Sequence, residues 1–416
     1  MWSGIILMAA ILSLPSAAHA GGLFIQEFGT PTQATAGAGA VAKANDASTA
    51  FQNPAGMTRL DDHALMLAAG VLVGDIKFDP SATTPNPGSG DGGQQGGPGP
   101  VLGAHYVHRL WDREGADYFD RVRLGFSLVS ISAAVLDPDN DWAGRFEVQK
   151  LGMVTLSGLP SVAVRIHKKF SLAVGANLMY GLMNYKVAVP LPGPLPGEGQ
   201  VEFDKIDDFA AGATVSALWE PTDRTRVGVI WTQQLDLNLS GDVKLNGLGA
   251  SANIVTNIPF PQAVRAGVVH EVTPKLWVAG NFRWENWSSF EKQWVTVSDF
   301  KTQIDRGWGD TYGGSLGARW QFKDRWALLT GVGYDSSPVS ASDRTADMPV
   351  DRQIRVGIGG QYLWGEDRTV GLNFSYANLG PAKIQSETLR GDYDRNQLFS
   401  VSLYIGWKKL PWSSAD

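Results

Sequence analysis

Residues 397–407 read Gln-Leu-Phe-Ser-Val-Ser-Leu-Tyr-Ile-Gly-Trp, and this stretch decides the fold class. One set of alternate positions is mostly large and apolar: Gln397, Phe399, Val401, Leu403, Ile405 and Trp407. The positions between them are mostly smaller or polar: Leu398, Ser400, Ser402, Tyr404 and Gly406. Strict alternation over about ten residues predicts a β-strand with one apolar face. The pattern recurs at 171–180, 353–364 and 370–376. Strands of soluble sandwiches are usually shorter, at about 5–6 residues.

The connections between the predicted strands alternate between short and long. Six are short, polar turns: Asp112–Asp117, His167–Lys169, Glu220–Arg224, Thr273–Lys275, Lys323–Arg325 and Gly365–Arg368. Seven are longer: 75–100, 136–149, 188–204, 241–258, 291–309, 336–352 and 381–395. Thirteen connections join 14 strands, and tight turns on one side with long loops on the other are typical of a membrane barrel. We therefore predict an all-β fold, a 14-stranded antiparallel transmembrane β-barrel.

The composition fits such a barrel and excludes several other classes. The chain has 416 residues, of which 44% are hydrophobic and 18% charged. This apolar content excludes intrinsic disorder, and the absence of Cys excludes a disulfide scaffold, a thiolate metal site and a cysteine nucleophile. A formal net charge of -6 disfavours nucleic-acid binding. After residue 20 the longest apolar run is about ten residues, 64–73, which is too short for a transmembrane helix.

Tryptophan placement indicates a membrane interface on the short-turn side. Six Trp lie within a few residues of those turns: Trp219, Trp277, Trp320, Trp326, Trp364 and Trp407. Amphipathic indole rings gather in such girdles at membrane interfaces. Trp277 falls on the polar parity of its strand, which a bulge would explain.

The chain begins with an export signal. Ile5–Leu14 is a short apolar run, followed by Ala18-His19-Ala20, the small-residue pattern of a signal-peptidase site. The first four residues carry no Lys or Arg, which is unusual for such a signal. We predict a signal peptide over 1–20, cleaved near Ala20.

The segment after the signal does not alternate. Residues 21–62 are rich in Gly and Ala but include large apolar side chains, which favours a plug inside the barrel over a disordered tail. The barrel is predicted over 63–408, and a short tail over 409–416.

The plug carries the most specific motif. Residues 44–57 read Ala-Asn-Asp-Ala-Ser-Thr-Ala-Phe-Gln-Asn-Pro-Ala-Gly-Met, after Gly-Leu-Phe-Ile-Gln-Glu at 22–27. These stretches resemble the N-terminal hatch of the FadL-type outer-membrane transporters. Shorter similarities continue in order along the chain, including Trp142–Phe146 and Asp335–Pro338.

The resemblance implies a function. The family moves long-chain fatty acids or other hydrophobic compounds, such as aromatic hydrocarbons, across the outer membrane of Gram-negative bacteria. It implies passive transport by loop capture, internal binding, hatch rearrangement and exit through a lateral opening beside a kinked third strand. The expected partners are a hydrophobic small molecule and outer-membrane lipid with lipopolysaccharide. We expect a monomer, with no enzymatic activity, cofactor, metal or bound nucleic acid.

Candidate site residues follow from parity and resemblance. The hatch motif is Asn53, Pro54, Ala55 and Gly56, in which Pro54 fixes a turn. Lumen-parity cations include Arg265 and six that we take as ligand-binding candidates: Arg121, Arg123, Arg226, Arg283, Arg319 and Arg355. An Arg fork can hold a carboxylate, although lumenal Arg can equally pair with acids such as Glu27, Asp46 or Glu285. The apolar candidates are Phe24, Phe28 and Phe51. The resemblance alone places the lateral opening at Ser130, Ser132 and Ala133.

Two other functions fit the barrel. An outer-membrane adhesin or structural barrel would bind surface partners through its loops. A lipid hydrolase would need a serine activated by a base, and no Ser/His pair here suggests one.

Overall fold

In a computed structural model, the described part of the chain forms one closed antiparallel sheet of 20 strands. The structure describes residues 27, 29–85, 92–110, 121–191, 197–246 and 249–409. For 131–134 it describes only the backbone. The predicted signal peptide, Phe24, Phe28, the turn at 112–117 and most of the tail lie outside the described residues.

The strands run the length of the chain after the first 63 residues. Their bounds are β1 Ala64–Pro80, β2 Pro98–Arg109, β3 Val122–Leu136, β4 Lys150–Gly158, β5 Ser161–His167, β6 Phe170–Pro190, β7 Glu198–Thr222, β8 Thr225–Thr232, β9 Leu235–Asn246, β10 Ala250–Phe260, β11 Ala263–Thr273, β12 Leu276–Glu285, β13 Lys292–Val297, β14 Phe300–Asp305, β15 Thr311–Lys323, β16 Trp326–Asp335, β17 Gln353–Trp364, β18 Arg368–Asn378, β19 Ile384–Gln385 and β20 Arg390–Trp407. The helical elements are α1 Thr49–Gln52 and the 3-10 turns Pro31–Thr35, Pro54–Arg59 and Trp287–Phe290. No helix among the described residues is long and apolar enough to cross a membrane.

Seventeen of these runs make a wall of 14 strands, which confirms the predicted strand number. Three wall strands are each interrupted once, between β4 and β5, between β8 and β9, and between β10 and β11. Three further strands, β13, β14 and β19, lie in loops. The barrel closes where β1 pairs with β20, from Leu65–Trp407 to Pro80–Gly391.

Side-chain burial alternates along the wall as the sequence predicts. On β20, Leu403 is 58% exposed and its neighbour Ser402 is 1% exposed. Outward apolar side chains such as Val174, Leu316 and Ile358 form the same kind of surface on other strands. Because alternate side chains of a strand point to opposite faces, the chain presents an apolar belt to lipid and smaller or polar groups to the lumen.

Three of the predicted long loops are wrong in extent. Residues 188–204, 241–258 and 291–309 consist largely of strands, in the hairpins β6–β7, β9–β10 and β13–β14. These hairpins rise above the lipid belt and still alternate. On β9 the inward Leu237 and Leu239 are buried, whereas Asp236 and Asn238 face outward. A loop that packs one face inward therefore keeps its strand structure outside the membrane.

Trp277 also differs from the girdle. Trp219, Trp320, Trp326 and Trp364 are about half exposed on the outer surface, but Trp277 is 7% exposed and points inward. Its ring lies 3.6 Å from the position that a Cβ on Gly39 would occupy. Trp277 therefore packs on the chain inside the barrel. The register of β11 against β12 also shifts between Glu271 and Thr273, which are opposite Trp277 and Leu276.

Residues 29–62, called the N-terminal segment below, lie inside the barrel. A Cβ on Gly331 would lie 2.3 Å from the Thr35 carbonyl oxygen, and a Cβ on Gly357 would lie 2.5 Å from the Gln33 carbonyl oxygen. Glycine at these wall positions lets the backbone of the segment touch the backbone of the wall.

Hydrogen bonds attach the segment to strands all around the wall. They join Thr30 to Asn373 on β18, Gln33 to Ser400 and Ser402 on β20, Gly37 to Asn281 on β12, Gln52 to Arg265 on β11, Asn53 to Ala217 on β7, and Thr58 to Ser171 on β6.

Candidate functional site

The lumen on the long-loop side is filled with apolar side chains. Inward residues of the wall and residues of the loops above form one buried group, the upper apolar cluster, which includes Phe78, Trp142, Met153, Met179, Tyr185, Leu237 and Phe260. Phe51 of the N-terminal segment belongs to the same cluster. The segment therefore contributes to the lower boundary of an apolar interior, the environment that a hydrophobic solute requires.

A polar network lies beside the segment, below the cluster. Arg355 on β17 forms ion pairs with Glu27 and, at 3.0 Å, with Asp335 on β16. Arg283 on β12 contacts the same Asp335 at 2.5 Å and Glu285 at 3.6 Å. Because buried charges are costly unless they are paired, this network holds two of the candidate cations in structural contacts.

The other candidate cations differ in their partners. Arg226 pairs with Glu271 at 2.9 Å, and Arg123 donates from Nε to the Leu60 carbonyl oxygen at 3.1 Å. Arg319 donates from Nε to Gln361 Oε1 at 2.7 Å. Arg121 was expected in the lumen, but it precedes β3 and is exposed to solvent, because the strand begins one residue later.

Arg265 lies between the upper apolar cluster and the polar network. Nη1 donates to Gln52 Oε1 at 3.1 Å, and the side chain makes no ion pair within the described part of the chain. Its apolar neighbours line a cavity of about 30 Å³: Phe51, Met179, Leu235 and Phe260. A second cavity, of about 40 Å³, connects it to the network: Glu27, Gln52, Arg283 and Asp335. A buried guanidinium beside apolar side chains can contact a carboxylate, but a cavity of about 30 Å³ holds only about one water molecule, so a long apolar chain would have to displace the side chains around it.

The hatch motif fastens the segment to β7. Asn53 is extended, with φ -164, as expected before a proline, and its Oδ1 accepts from the Ala55 N–H at 3.1 Å. Its Nδ2 donates to the carbonyl oxygens of Val41 at 2.6 Å and Ala217 at 3.0 Å. A Cβ on Gly56 would lie 2.4 Å from Thr49 Oγ1. Contacts within the segment and with β7 therefore account for the residue types of the hatch motif.

The wall is discontinuous between β2 and β3. Their ladder runs from Arg109–Arg123 to Gly103–Val129, and the next described contacts between the two sides are at Gly96–Leu136 and Gly97–Val135. At the point where the ladder stops, the Leu102 N–H donates to Ser130 Oγ at 2.9 Å. Beyond it, β3 shifts its register against β4 between Ser130 and Ser132, so a bulge lies at this point.

The start of the N-terminal segment lies against this discontinuity. A Cβ on Gly29 would lie 3.2 Å from Ala68 Cβ and 3.7 Å from the Gly103 nitrogen. The described backbone at Ser132 and Ala133 continues the pairing with Thr155 and Val154 on β4. Of the three residues that the resemblance selects, Ser130 and Ser132 border the bulge directly.

Loops meet above the upper apolar cluster at a buried carboxylate. Glu147 accepts hydrogen bonds from the Ala346 N–H at 2.7 Å, Thr388 Oγ1 at 3.0 Å and Ser386 Oγ at 3.3 Å. Burial raises the pKa of Glu147, and burial raises the pKa of the adjacent Asp347 to about 7. This loop cluster joins residues more than 190 positions apart and covers the lumen.

Sequence reasoning missed two of these groups. Glu147 lies in a predicted loop, and no local signal shows that three distant groups converge on it. Arg265 was expected in the lumen but was not singled out, because its parity matches that of the other cations. That Arg265 forms no ion pair with a described carboxylate is visible only in three dimensions.

These features define an outer-membrane channel: a closed β-barrel with short turns on one side, an apolar lumen and an internal N-terminal segment. A family model described as outer membrane protein transport protein (OMPP1/FadL/TodX) matches residues 11–402, and the chain belongs to this family. It is a transport protein of the outer membrane, not an enzyme.

Relatives match over nearly their full length. The long-chain fatty acid transport protein of Salmonella typhi is 23% identical over 422 residues, 92% of this chain and 94% of the relative. A putative outer membrane protein of Neisseria meningitidis serogroup B is also 23% identical, covering 93% of this chain and 92% of its own.

Solved structures share the fold. A Pseudomonas aeruginosa FadL homologue has a TM-score of 0.81 at 20% identity, covering 92% of this chain and 99% of its own. The P. putida toluene transporter TodX has a TM-score of 0.72 at 16% identity, covering 92% and 99% respectively.

Proposed function

We propose that this protein carries long-chain fatty acids passively across the outer membrane, with Arg265 as the internal contact for the carboxylate. The observation that carries the proposal is the position of Arg265 between an apolar cavity and the polar network. It is a buried cation that forms no ion pair with any described residue. An aromatic or aliphatic hydrocarbon would use the apolar cluster but would leave this cation without an anionic partner. The names of fatty acid transport relatives support the same substrate class.

We propose a route in four steps. The loops joined at Glu147 capture the solute, and the upper apolar cluster receives it. The N-terminal segment acts as a hatch that rearranges about Asn53. Exit occurs laterally at the β2–β3 discontinuity, where a single side chain, Ser130, replaces a row of backbone hydrogen bonds. Both the bulge and the proximity of Gly29 support this exit.

The surroundings complete the proposal. The outward apolar belt contacts membrane lipid, and lipopolysaccharide in the outer leaflet makes a sheltered path necessary for a hydrophobic solute. A monomer is sufficient, because in the described part of the chain the sheet closes on itself through β1 and β20, and every wall strand has a neighbour on each side.

Uptake by cells that lack other fatty acid transporters tests the substrate class. Arg265→Gln removes the charge that a carboxylate would contact, and a charge-assisted hydrogen bond contributes about 1.5–3 kcal/mol. We expect at least roughly tenfold lower oleate uptake at limiting concentration, with uptake of a neutral alkane unchanged. Arg121→Gln, at an exposed Arg, is the matched control. Equal oleate uptake by the Arg265 variant and the wild type would exclude the carboxylate contact, and no uptake of any hydrophobic compound by the wild type would exclude transport.

A further inference from the structure

A larger cavity lies at the short-turn end of the lumen, on the other side of the N-terminal segment from Arg265. Its volume is about 590 Å³, within the range of small-molecule binding sites. Residues 43–47 and 59–62 of the segment form one side, and β1, β15, β17, β18 and β20 form the other. It shares no lining residue with either cavity at Arg265. We call it the periplasmic cavity.

Arg319, which is partly buried, lies at the inner end of the polar wall of this cavity. Its Nε donates to Gln361 Oε1 at 2.7 Å, and Gln361 Nε2 donates to the Tyr404 hydroxyl oxygen at 2.6 Å. Gln361 and Tyr404 are both buried, so this chain of hydrogen bonds fixes the guanidinium in position. Arg319 makes no ion pair with any residue that the structure describes.

The other cations of the cavity divide into two kinds. Lys43 is neutralised by Asp46 at 2.8 Å, and Arg59 is neutralised by Glu220. At the open rim the exposed cations Arg325, Lys408 and Lys409 stand beside the acids Asp61 and Asp324. Arg319 is therefore the one inner guanidinium of this cavity whose charge is not balanced by a described carboxylate.

The remaining wall is mixed, with Asn45, Gln321 and Thr369 beside the apolar side chains. Leu60, Met66 and Leu363 lie along it, and Trp407 stands near the rim. A site with one fixed guanidinium and an apolar wall is complementary to an amphipathic anion with a single carboxylate. A phosphate diester with two chains would need a wider apolar wall.

We propose that the periplasmic cavity is a second binding site for a long-chain carboxylate, with Arg319 contacting the head group and Gln361 and Tyr404 positioning Arg319. The substrate class rests on the proposed function, but the site is separate from that at Arg265. Because the exposed residues of the lining lie at the short-turn rim, a carboxylate reaches the cavity from the periplasmic side without displacing the segment.

Photolabelling of the whole protein in lipid nanodiscs tests the site. The probe is palmitate with a diazirine near its methyl end, and labelled peptides are mapped by mass spectrometry. We expect labelling of peptides containing 60–66 and 404–409, and separately of peptides containing Phe51 and Leu235. Arg319→Gln should lower labelling of the peptides containing 60–66 and 404–409 at least fivefold, and should leave labelling of the peptides containing Phe51 and Leu235 unchanged. Arg319→Lys should restore part of the labelling at 60–66 and 404–409. Arg265→Gln should lower labelling of the peptides containing Phe51 and Leu235 and leave labelling of the peptides containing 60–66 and 404–409 unchanged.

A cavity-filling variant and a competition experiment complete the test. Thr369→Trp fills the cavity from β18 without altering Arg319, and should also remove labelling of the peptides containing 60–66 and 404–409. Unlabelled palmitate should compete with the probe for these peptides, whereas palmityl alcohol and phosphatidylglycerol should not. Periplasmic labelling that survives both variants, or that phosphatidylglycerol displaces, overturns the inference. Labelling at Phe51 and Leu235 alone overturns this inference but leaves the proposed function standing, and no labelling at either place overturns both.

Discussion

Asn53 of the N-terminal segment donates from Nδ2 to the carbonyl oxygen of Ala217 on β7, at 3.0 Å. The same amide group donates to Val41 within the segment, at 2.6 Å. One side chain therefore holds two parts of the segment together and fastens both to the wall. If the segment is a hatch, this residue is where its attachment is most easily weakened.

Asn53→Ala should loosen the segment without unfolding the barrel. The change removes the donor that the carbonyl oxygens of Val41 and Ala217 share, and we expect a loss of about 2 kcal/mol, or roughly thirtyfold faster hydrogen exchange for amides of 41–56. Asn45→Ala, at an exposed Asn of the same segment, is the control. Unchanged exchange in the Asn53 variant would show that the amide does not hold the segment.

The glycines of the wall predict a second effect on the segment. In Gly331→Leu the new Cβ would lie 2.3 Å from the Thr35 carbonyl oxygen, so the segment cannot dock as it does now. We expect faster entry of small hydrophilic solutes in a liposome-swelling assay, because the lumen loses its filling. Gly360→Leu, at a position with nothing within 4 Å, should leave the swelling rate unchanged. Equal rates for the two variants would contradict a segment that closes the lumen.

The loop cluster predicts a pH dependence. Asp347 has a pKa raised to about 7 by burial, and burial also raises the pKa of Glu147. The folded loops therefore bind more protons than the unfolded loops do between about pH 4 and 7, so their stability increases as the pH falls through 7. Hydrogen exchange of 336–352, corrected for intrinsic rates, should slow between pH 8 and pH 6.

Asp347→Asn serves as the control for this titration. It removes the charge at every pH, so the exchange rates should depend less on pH and should already be slow at pH 8. Loops that become less protected as the pH falls would contradict the assignment of these buried carboxyl groups.

The sequence predicted the wall better than it predicted the contacts inside it. Alternation at 397–407 and the polar turns were sufficient for the number of strands, because a lipid-facing strand needs an apolar residue at every second position. The same alternation could not mark where the membrane ends, since β9 packs Leu237 inward above the lipid belt. Hairpins above the membrane were therefore mistaken for loops.

The hydrogen-bond and ion-pair partners of the lumenal arginines could not be predicted from the sequence, for a different reason. Arg319 and Arg355 have the same residue type and the same parity, yet Arg355 meets Glu27, which is 328 positions away, and Arg319 meets a neutral amide. Which cation is neutralised depends on the path of the N-terminal segment, and no periodicity encodes that path. Trp277 is another example, because its inward ring packs against Ala38, Gly39 and Ala42 of the N-terminal segment, and no local pattern encodes that contact.

The central claim, that a hydrophobic solute leaves through the wall between β2 and β3, is tested most directly by closing that gap. The chain has no Cys, so Leu102→Cys with Ser130→Cys places a single disulfide at the next opposed positions beyond Gly103–Val129. Val332→Cys with Val356→Cys, on the continuous ladder between β16 and β17, is the matched control.

The decisive measurement is the initial rate of oleate uptake by cells carrying each pair, oxidised and then reduced, with disulfide formation verified by mass spectrometry. Lateral exit predicts at least tenfold slower uptake when the Leu102/Ser130 pair is oxidised, recovery on reduction, and no change for the control pair. Uptake at the same rate in the oxidised and reduced forms of the Leu102/Ser130 pair would contradict it.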